Sequence, residues 1–233
     1  MFDLRGSLKK LRQKQHLLGE MSARTRSNTY ISKDEYHDLV SYANQRKIKI
    51  ARFKKFSGDI VAIKQLIDDI VIIANDFPKI LEGNQRLELN LDYYCGEDVF
   101  ATTEHHLIFL NAHLFSDMEY LQSEYELAMN QGKFVANTNY RSIIRHELGH
   151  VVANIYKFSS MEIAKDILKC KSRTEVVKYV KENLSLYSAE YEDGREIIAE
   201  CFSGYYSGIN NDFANSFVER CIQLKGGNVN ETK

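Results

Sequence analysis

Two histidines and a glutamate with the spacing of a metal site lie in one short segment, His146-Glu147-Leu148-Gly149-His150. Histidines four residues apart lie on one face of a helix, about 6 Å apart along its axis, so both imidazoles can reach one Zn²⁺ at roughly 2.0–2.1 Å. Glu147 lies beside the pair, where its carboxylate can take a proton from a water on the zinc. A random chain with 7 His in 233 residues would contain this pattern about 2 % of the time. The competing interpretation is a polar stripe of two histidines on a half-exposed helix.

A catalytic zinc site needs a third protein ligand and one open position for water. Glu196 and Glu200 are one helical turn apart, so their helix can offer one carboxylate to zinc and a second to the free ring N–H of a ligating histidine. By themselves they would indicate only a solvated acidic face. No histidine follows His150, which excludes a third histidine ligand from downstream. The upstream histidines are expected to be strand residues near the cleft: His105, His106 and His113.

Amide hydrolysis at such a site also needs a donor for the oxyanion that develops on the attacked carbonyl. Tyr187 and Tyr191, which just precede the second carboxylate helix, are the best candidates, and their spacing does not choose between them. Tyr140 and Arg195 remain alternatives. Gly149 weakens a helix by about 1 kcal/mol relative to alanine, so we expect another backbone to pass close to it.

The composition is typical of a globular protein, with 44 % hydrophobic and 27 % charged residues. No apolar run reaches the roughly 18 residues of a membrane span, and the N-terminus lacks the apolar stretch of a secretory signal. The four cysteines form no C-x-x-C pair. Together these features predict a reduced, cytoplasmic protein without a membrane partner.

Charge is distributed unevenly along the chain. Residues 1–55 contain 14 Lys and Arg against 5 Asp and Glu, whereas residues 56–233 contain 17 against 27. We therefore expect a basic N-terminal extension over 1–55, followed by one domain over 56–233. The extension is expected to dock on the acidic body or on an acidic partner, and a nucleic-acid partner is disfavoured because no recognised binding module is present.

Hydrophobic periodicity predicts an α+β, helix-rich protein with a small sheet just before the motif helix. Residues 86–91 and 105–111 are expected to be strands, and residues 48–53 a strand or a turn. Eight further segments are expected to be helical, besides one near the N-terminus: 32–45, 59–77, 116–129, 140–156, 160–169, 173–183, 195–207 and 211–223.

At these residues the chain resembles the gluzincin branch of the zincin metallopeptidases, and within it the lethal-factor-like (ATLF-like) catalytic domain. The matching segments are His146-Glu-Leu-Gly-His150, Tyr187-Ser188 and Glu196-Ile-Ile-Ala-Glu-Cys-Phe202. The resemblance implies one Zn²⁺ held by His146, His150 and Glu196. It also implies Glu147 as the general base, Glu200 behind the ligands, and Tyr187 as the oxyanion donor.

The segment of roughly residues 85–210 also resembles zincin-like domains of phage head-morphogenesis and minor capsid proteins. This likeness implies a phage-structural partner for the basic N-terminus and a virion-associated location as an alternative to the cytoplasm. In zincins, a strand such as residues 105–111 forms the cleft edge and binds an extended peptide by strand addition. Protein or peptide is therefore the expected substrate.

The expected function is that of a zinc-dependent endopeptidase on a zincin-like α+β scaffold. One alternative is a phage-derived structural or interaction module that keeps its zinc for stability. Another is a regulatory protease that clips a repressor, which we rank lower because 46 positions separate His150 from Glu196, more than such proteins usually show.

Overall fold

Helices make up most of the described chain, and one small sheet lies among them. The computed structural model describes residues 30–83, 86–94, 96, 99–191 and 193–226. The helix expected near the N-terminus lies outside these ranges. The predicted α+β, helix-rich class is confirmed. The described helices have the following bounds: α1 Lys33–Gln45, α2 Ile60–Asp76, α3 Ala112–Phe115, α4 Met118–Asn130, α5 Ser142–Tyr156, α6 Ser160–Leu168, α7 Arg173–Asn183, α8 Arg195–Tyr206 and α9 Asp212–Leu224.

The sheet has four strands in the order β1-β2-β4-β3. β1 pairs in parallel with β2, and β2 pairs in parallel with β4. β3 pairs with β4 in the antiparallel direction, so it forms an edge of the described sheet. The strand bounds are β1 Lys49–Ala51, β2 Glu88–Asp92, β3 Ala101–Glu104 and β4 Leu107–Asn111.

Local sequence signals explain where the first long helices begin and end. The Ser32 hydroxyl accepts from the backbone N–H of Glu35, whose side chain accepts from the backbone N–H of Ser32, which completes the predicted capping box. The Asp59 carboxylate caps α2 by accepting from the backbone N–H of Val61. Pro78 lies two residues after Asp76, the last residue of α2, and it disfavours the helical conformation for Phe77 before it.

Residues 30–55, the described part of the predicted N-terminal extension, share the core of the remaining chain. α1 packs on α2, and β1 joins β2 in the sheet. Phe53 and Phe56 are fully buried, with their rings 5.7 Å apart. The part of the predicted basic extension that precedes residue 30 lies outside the described residues.

No described helix combines the length and the apolar surface that a membrane span requires.

The motif helix α5 is held by a buried ion cluster with α2. Asp69 is 1 % exposed, and its carboxylate accepts from Arg141 Nε at 2.7 Å and from Arg145 Nη2 at 2.8 Å. Charge-assisted bonds of this kind are strong and directional in a buried setting. Because Arg145 directly precedes His146, the cluster helps to set the rotation of α5 and hence the direction in which its histidines point.

Gly149 lies where α5 and α8 come closest. A Cβ added there would lie 2.7 Å from the Cα of Ala199 and 3.1 Å from the carbonyl oxygen of Ile198. Both are backbone atoms of α8, so the obstacle cannot rotate away. The expectation that another backbone passes close to this glycine is confirmed.

Replacing Gly149 with alanine should therefore destabilise the protein by about 1–3 kcal/mol, the usual cost of overpacking, despite the gain in helix propensity. Gly204 is the matched control, since it also lies inside a helix but a Cβ there would meet only side-chain carbons at 3.4 Å or more. Gly204→Ala is expected to be neutral or stabilising. Urea unfolding of both variants measures the difference, and equal free energies of unfolding would contradict the close approach of α5 and α8.

Two expectations for the segment before α3 are wrong. The predicted strand over 105–111 begins only at Leu107, because His105 and His106 form a turn in which His105 has a left-handed φ of 56°. The same strand, β4, lies between β2 and β3 and is not the cleft edge. That position belongs to β3, which the sequence analysis did not predict. Its four residues alternate between half-buried and exposed and carry little apolar signal.

Candidate metal centre

Two neighbouring helices bring the three predicted metal ligands together. α5 carries His146 and His150 on one face, and α8 carries Glu196 in its first turn. Nε2 of each histidine lies 3.2 Å from Oε2 of Glu196. Among the described residues this is the only group whose candidate ligand atoms all lie within 4.8 Å of one another. The buried group of His146, His150 and Glu196 could therefore hold a metal ion.

The spacing and the state of Glu196 fit such an ion. Tetrahedral coordination with bonds of about 2.1 Å places neighbouring ligand atoms about 3.4 Å apart, close to the 3.2 Å between each imidazole and the carboxylate. Oε2 of Glu196 is buried and has no hydrogen bond of good geometry, although it lies 3.2 Å from Nε2 of both histidines. A cation held between the three atoms would satisfy this buried oxygen. Two imidazoles and one carboxylate are donors that suit zinc. The residues present thus match the ion that the sequence analysis predicted.

Glu200 lies behind the ligands and orients His146. Its Oε1 is 2.8 Å from His146 Nδ1, and its Oε2 accepts from the backbone N–H of Val135 at 3.1 Å. A carboxylate only accepts, so Nδ1 carries the proton of this bond and Nε2 is the atom that faces the candidate ion. Glu200 is fully buried. The structure places it where the sequence analysis expected the second carboxylate.

The substitution Glu200→Gln is expected to weaken zinc binding by about 10- to 100-fold. Glutamine keeps the volume but has only one acceptor oxygen, so its NH₂ must face either His146 Nδ1–H or the Val135 N–H, both of which are donors. Competition with a chromophoric chelator measures the affinity. A variant that binds zinc as tightly as the wild-type protein would contradict an orienting role for Glu200.

Glu147 faces the edge of the sheet rather than the three ligand atoms. The hydroxyl of Thr103, on β3, donates to its Oε2 at 2.6 Å. This bond fixes the direction of the Glu147 carboxylate at the edge strand, next to the cavities that His146 also lines. The contact of Thr103 with Glu147 was not predicted. The two residues are 44 positions apart, and a single threonine in a weak strand pattern gives no signal of such a contact.

Of the candidate oxyanion donors, Tyr187 is the one placed against the ligands. Its ring centroid lies 5.6 Å from that of His146. Burial, together with the charge of Glu196, raises the pKa of Tyr187 above its usual 10, so the hydroxyl keeps its proton and can donate. Tyr191 is 41 % exposed and lies under the guanidinium of Arg195.

The remaining candidates are engaged elsewhere. The Tyr140 hydroxyl donates to Gln65 at 2.7 Å, and Arg195 is paired with Asp193 at 2.6 Å. His113 lies in α3 and not in a strand, with Nε2 3.1 Å from the carbonyl oxygen of Tyr93.

Electrostatics around the ligands favour a proton on His146 when no ion is bound. Burial by itself lowers the pKa of His146, but the contacts with Glu196 and Glu200 outweigh it and raise the pKa to about 10. Burial raises the pKa of Glu196, and the two imidazoles reverse this and bring it to about 2. The anionic carboxylate and the cationic imidazole are therefore paired near neutral pH.

Zinc binding at pH 8 is accordingly expected to release about one proton, because Nε2 of His146 must be deprotonated to bind metal. Affinity should rise roughly tenfold per pH unit until the pH approaches 10. Titration calorimetry in two buffers of different ionisation enthalpy counts the proton. The same apparent enthalpy in both buffers would contradict the prediction.

The metal-free protein should show the opposite trend in stability. The raised pKa of His146 contributes fully below its ordinary 6.5, and the contribution is lost as the pH rises towards 10. The lowered pKa of Glu196 contributes above 4.5 and is lost as the pH falls towards 2.

Two cavities meet at the candidate centre and leave it accessible from both sides. They have volumes of about 700 and 660 Å³ and share four lining residues, Ala101, His146, Glu147 and Tyr187. Both are within the usual size of ligand sites. The candidate ligands, Glu147 and Tyr187 thus line two adjoining cavities beside β3.

No protein-family model, curated protein or solved structure matches this chain. What the site can do follows from its own residues and their geometry.

Proposed function

We propose that this protein is a zinc-dependent metallopeptidase of the gluzincin type, with a zincin-like catalytic domain similar to the lethal-factor-like domain. The observation that carries the proposal is the position of Glu147, whose carboxylate lies next to the group of His146, His150 and Glu196 and at the junction of two cavities. A structural metal site has no need of a third, unliganded carboxylate that lines both cavities.

Each residue has a distinct task in peptide hydrolysis. His146, His150 and Glu196 would hold the ion, which supplies the Lewis acidity that makes water nucleophilic near neutral pH and polarises the scissile carbonyl. Glu147 takes the proton of the attacking water and passes it to the leaving amine nitrogen. Thr103 holds Glu147 in place by its hydrogen bond.

The oxyanion that forms on the attacked carbonyl needs a donor in the cleft, and we assign this role to Tyr187. Its ring lies 5.6 Å from that of His146, the residue lines both cavities, and its hydroxyl keeps the proton that it would donate. Loss of the tyrosine hydroxyl would therefore lower turnover and leave the zinc ligands intact.

An extended polypeptide is the substrate that suits the cleft. β3 is an edge strand beside the candidate centre, and two of its four residues, Thr102 and Glu104, are exposed. A peptide that adds to this edge would lie alongside Glu147 with its backbone hydrogen-bonded to β3. Free amino acids and small esters lack the backbone needed for such pairing.

Partners and location remain part of the proposal. The basic residues 1–55 would attract an acidic or phage-structural partner, and the lack of a recognised nucleic-acid module argues against DNA or RNA. The cytoplasm is the proposed location, and a virion the alternative.

Cleavage of a mixed peptide library by zinc-loaded protein tests the proposed function. Mass spectrometry should find new termini with the wild-type protein and none with Glu147→Gln. If the wild-type protein cleaves nothing but loses thermal stability when a chelator removes zinc, the protein is instead a structural or interaction module that keeps its zinc for stability. Cleavage limited to one repressor-like protein would favour a regulatory protease.

A further inference from the structure

Aromatic rings form part of the wall of the larger cavity beside the candidate centre. It has a volume of about 700 Å³ and borders His146 and Glu147. The rings of Tyr125 and Phe134 are stacked with centroids 5.1 Å apart, and Phe100 contacts both edge to face at 5.9 and 5.8 Å. Phe134 also contacts the ring of His146 at 6.5 Å. A large apolar side chain next to the reacting bond could therefore be buried here.

Two lysines line the same cavity and have no ion-pair partner in the part of the chain that the structure describes. Lys133 and Lys181 are both exposed lining residues, and their ammonium groups make no hydrogen bond or ion pair with any described residue. The cavity has three carboxylates, of which Glu147 is bound to Thr103 and Glu200 to His146. Glu190 is the remaining one and is exposed, so among the described lining residues the ammonium groups of two lysines and one carboxylate have no charged or hydrogen-bonded partner.

The second cavity has neither a cluster of aromatic rings nor unpaired lysines among its described lining residues. Besides Glu147, which is bonded to Thr103, and Glu196, which is placed against the two histidines, its described charged lining residues are Asp193 and Arg195, and these are paired with each other at 2.6 Å. Most of its other lining residues are polar, among them Thr102, Asn154 and Ser159. The two sides of the cleft therefore present different chemistry to a bound peptide, with an apolar, cationic side and a polar side whose charges are already compensated.

Given the proposed peptidase function, on which this inference rests, we infer that the enzyme selects peptides in which a large apolar residue has an acidic residue next to it. The apolar side chain enters the cavity beside His146 and packs on Phe100 and Phe134. The neighbouring carboxylate lies between Lys133 and Lys181 at the mouth. The preference for such peptides thus comes from aromatic rings and unpaired lysine side chains that lie on the same side of the scissile bond.

Four fluorescent, end-blocked peptides of one Ala-Gly scaffold test the inference, with central pairs Phe-Glu, Phe-Lys, Gly-Glu and Gly-Lys. Binding is measured on zinc-loaded Glu147→Gln protein, so that no peptide is consumed. Phe-Glu should bind about tenfold more tightly than Gly-Glu, because a phenyl ring is buried. It should bind about fivefold more tightly than Phe-Lys, and this second ratio should shrink as salt is added.

Variants of the lining residues test the preference for an acidic residue and the preference for an apolar residue separately. Reversing both charges, Lys133→Glu with Lys181→Glu, should invert the preference between Phe-Glu and Phe-Lys. Lys178→Glu is the matched control, since Lys178 is exposed on the same helix as Lys181 but does not line the cavity. Ala128→Leu, which adds bulk to the cavity wall, should reduce the advantage of Phe over Gly and leave the charge preference unchanged.

The same peptides given to wild-type enzyme distinguish the two proposals. Selective binding without cleavage would overturn the peptidase function and keep the assigned binding site. Cleavage of all four peptides at equal rates, with equal binding, would overturn the specificity and keep the peptidase function. Binding of none of them, or a preference that survives the double charge reversal, would also overturn the specificity.

Discussion

Replacing Glu196 with alanine is expected to remove stoichiometric zinc from the purified protein. Glu196 is 4 % exposed and its Oε2 lies 3.2 Å from Nε2 of both His146 and His150. Its loss leaves two ligands on one helix. Structural zinc sites with four ligands are worth about 10–16 kcal/mol, or roughly 3 kcal/mol per ligand, so affinity should fall by at least on the order of 100-fold. Metal analysis after dialysis and chelator competition measure the loss.

The exposed residue Glu175 offers a matched control. It occupies the first turn of α7 as Glu196 occupies the first turn of α8, so both substitutions remove the same favourable interaction of a carboxylate with a helix N-terminus. Glu175→Ala should retain zinc, and His146→Ala should lose it. Full zinc content in Glu196→Ala would refute the assignment of the third ligand, and retention in His146→Ala would refute the site as a whole.

Replacing Glu147 with glutamine is expected to abolish most peptide hydrolysis while zinc stays bound. The substitution keeps the size of the side chain, and its amide oxygen can still accept the hydrogen bond of Thr103. It removes the group that accepts the water proton, and general-base catalysis typically contributes 10²–10⁴-fold to a rate. Turnover of a cleaved peptide should fall by about that factor, with KM nearly unchanged.

Zinc content and thermal stability must be measured on the same Glu147→Gln sample. Unchanged zinc with lost turnover assigns Glu147 to the chemistry, whereas unchanged turnover would remove it from the mechanism. Residual activity that persists in His146→Ala would come from a contaminating protease. A metal chelator should inactivate the wild-type protein and also lower its melting temperature, because an ion that binds only the folded state stabilises it.

Much of the helical framework follows from local sequence. The capping box at Ser32 and the carboxylate of Asp59 set the starts of α1 and α2, and Pro78 sets the end of α2. These signals act within a few residues, through hydrogen bonds to adjacent backbone groups or through steric conflict with them. The same is true of the histidine pair, since a spacing of four within a helix fixes a common face.

Local sequence signals do not predict the edge strand β3 or the turn that precedes β4. β3 has alternate side chains exposed and is stabilised by pairing with β4, so its four residues show no distinctive pattern. His105 takes a left-handed φ that the connection between β3 and β4 requires. Both features arise from contacts between strands, which local propensities do not encode.

The sequence by itself determined which residues can form the metal centre: His146, Glu147 and His150 by their helical spacing, and Glu196 with Glu200 as a second pair one turn apart. Their spacing did not choose between the two glutamates; the family resemblance implied Glu196 as the ligand, and the tertiary structure places Glu196 against both imidazoles and Glu200 on Nδ1 of His146. The reason is geometric. The two glutamates share a helix face, and their roles depend on how α8 crosses α5 at Gly149.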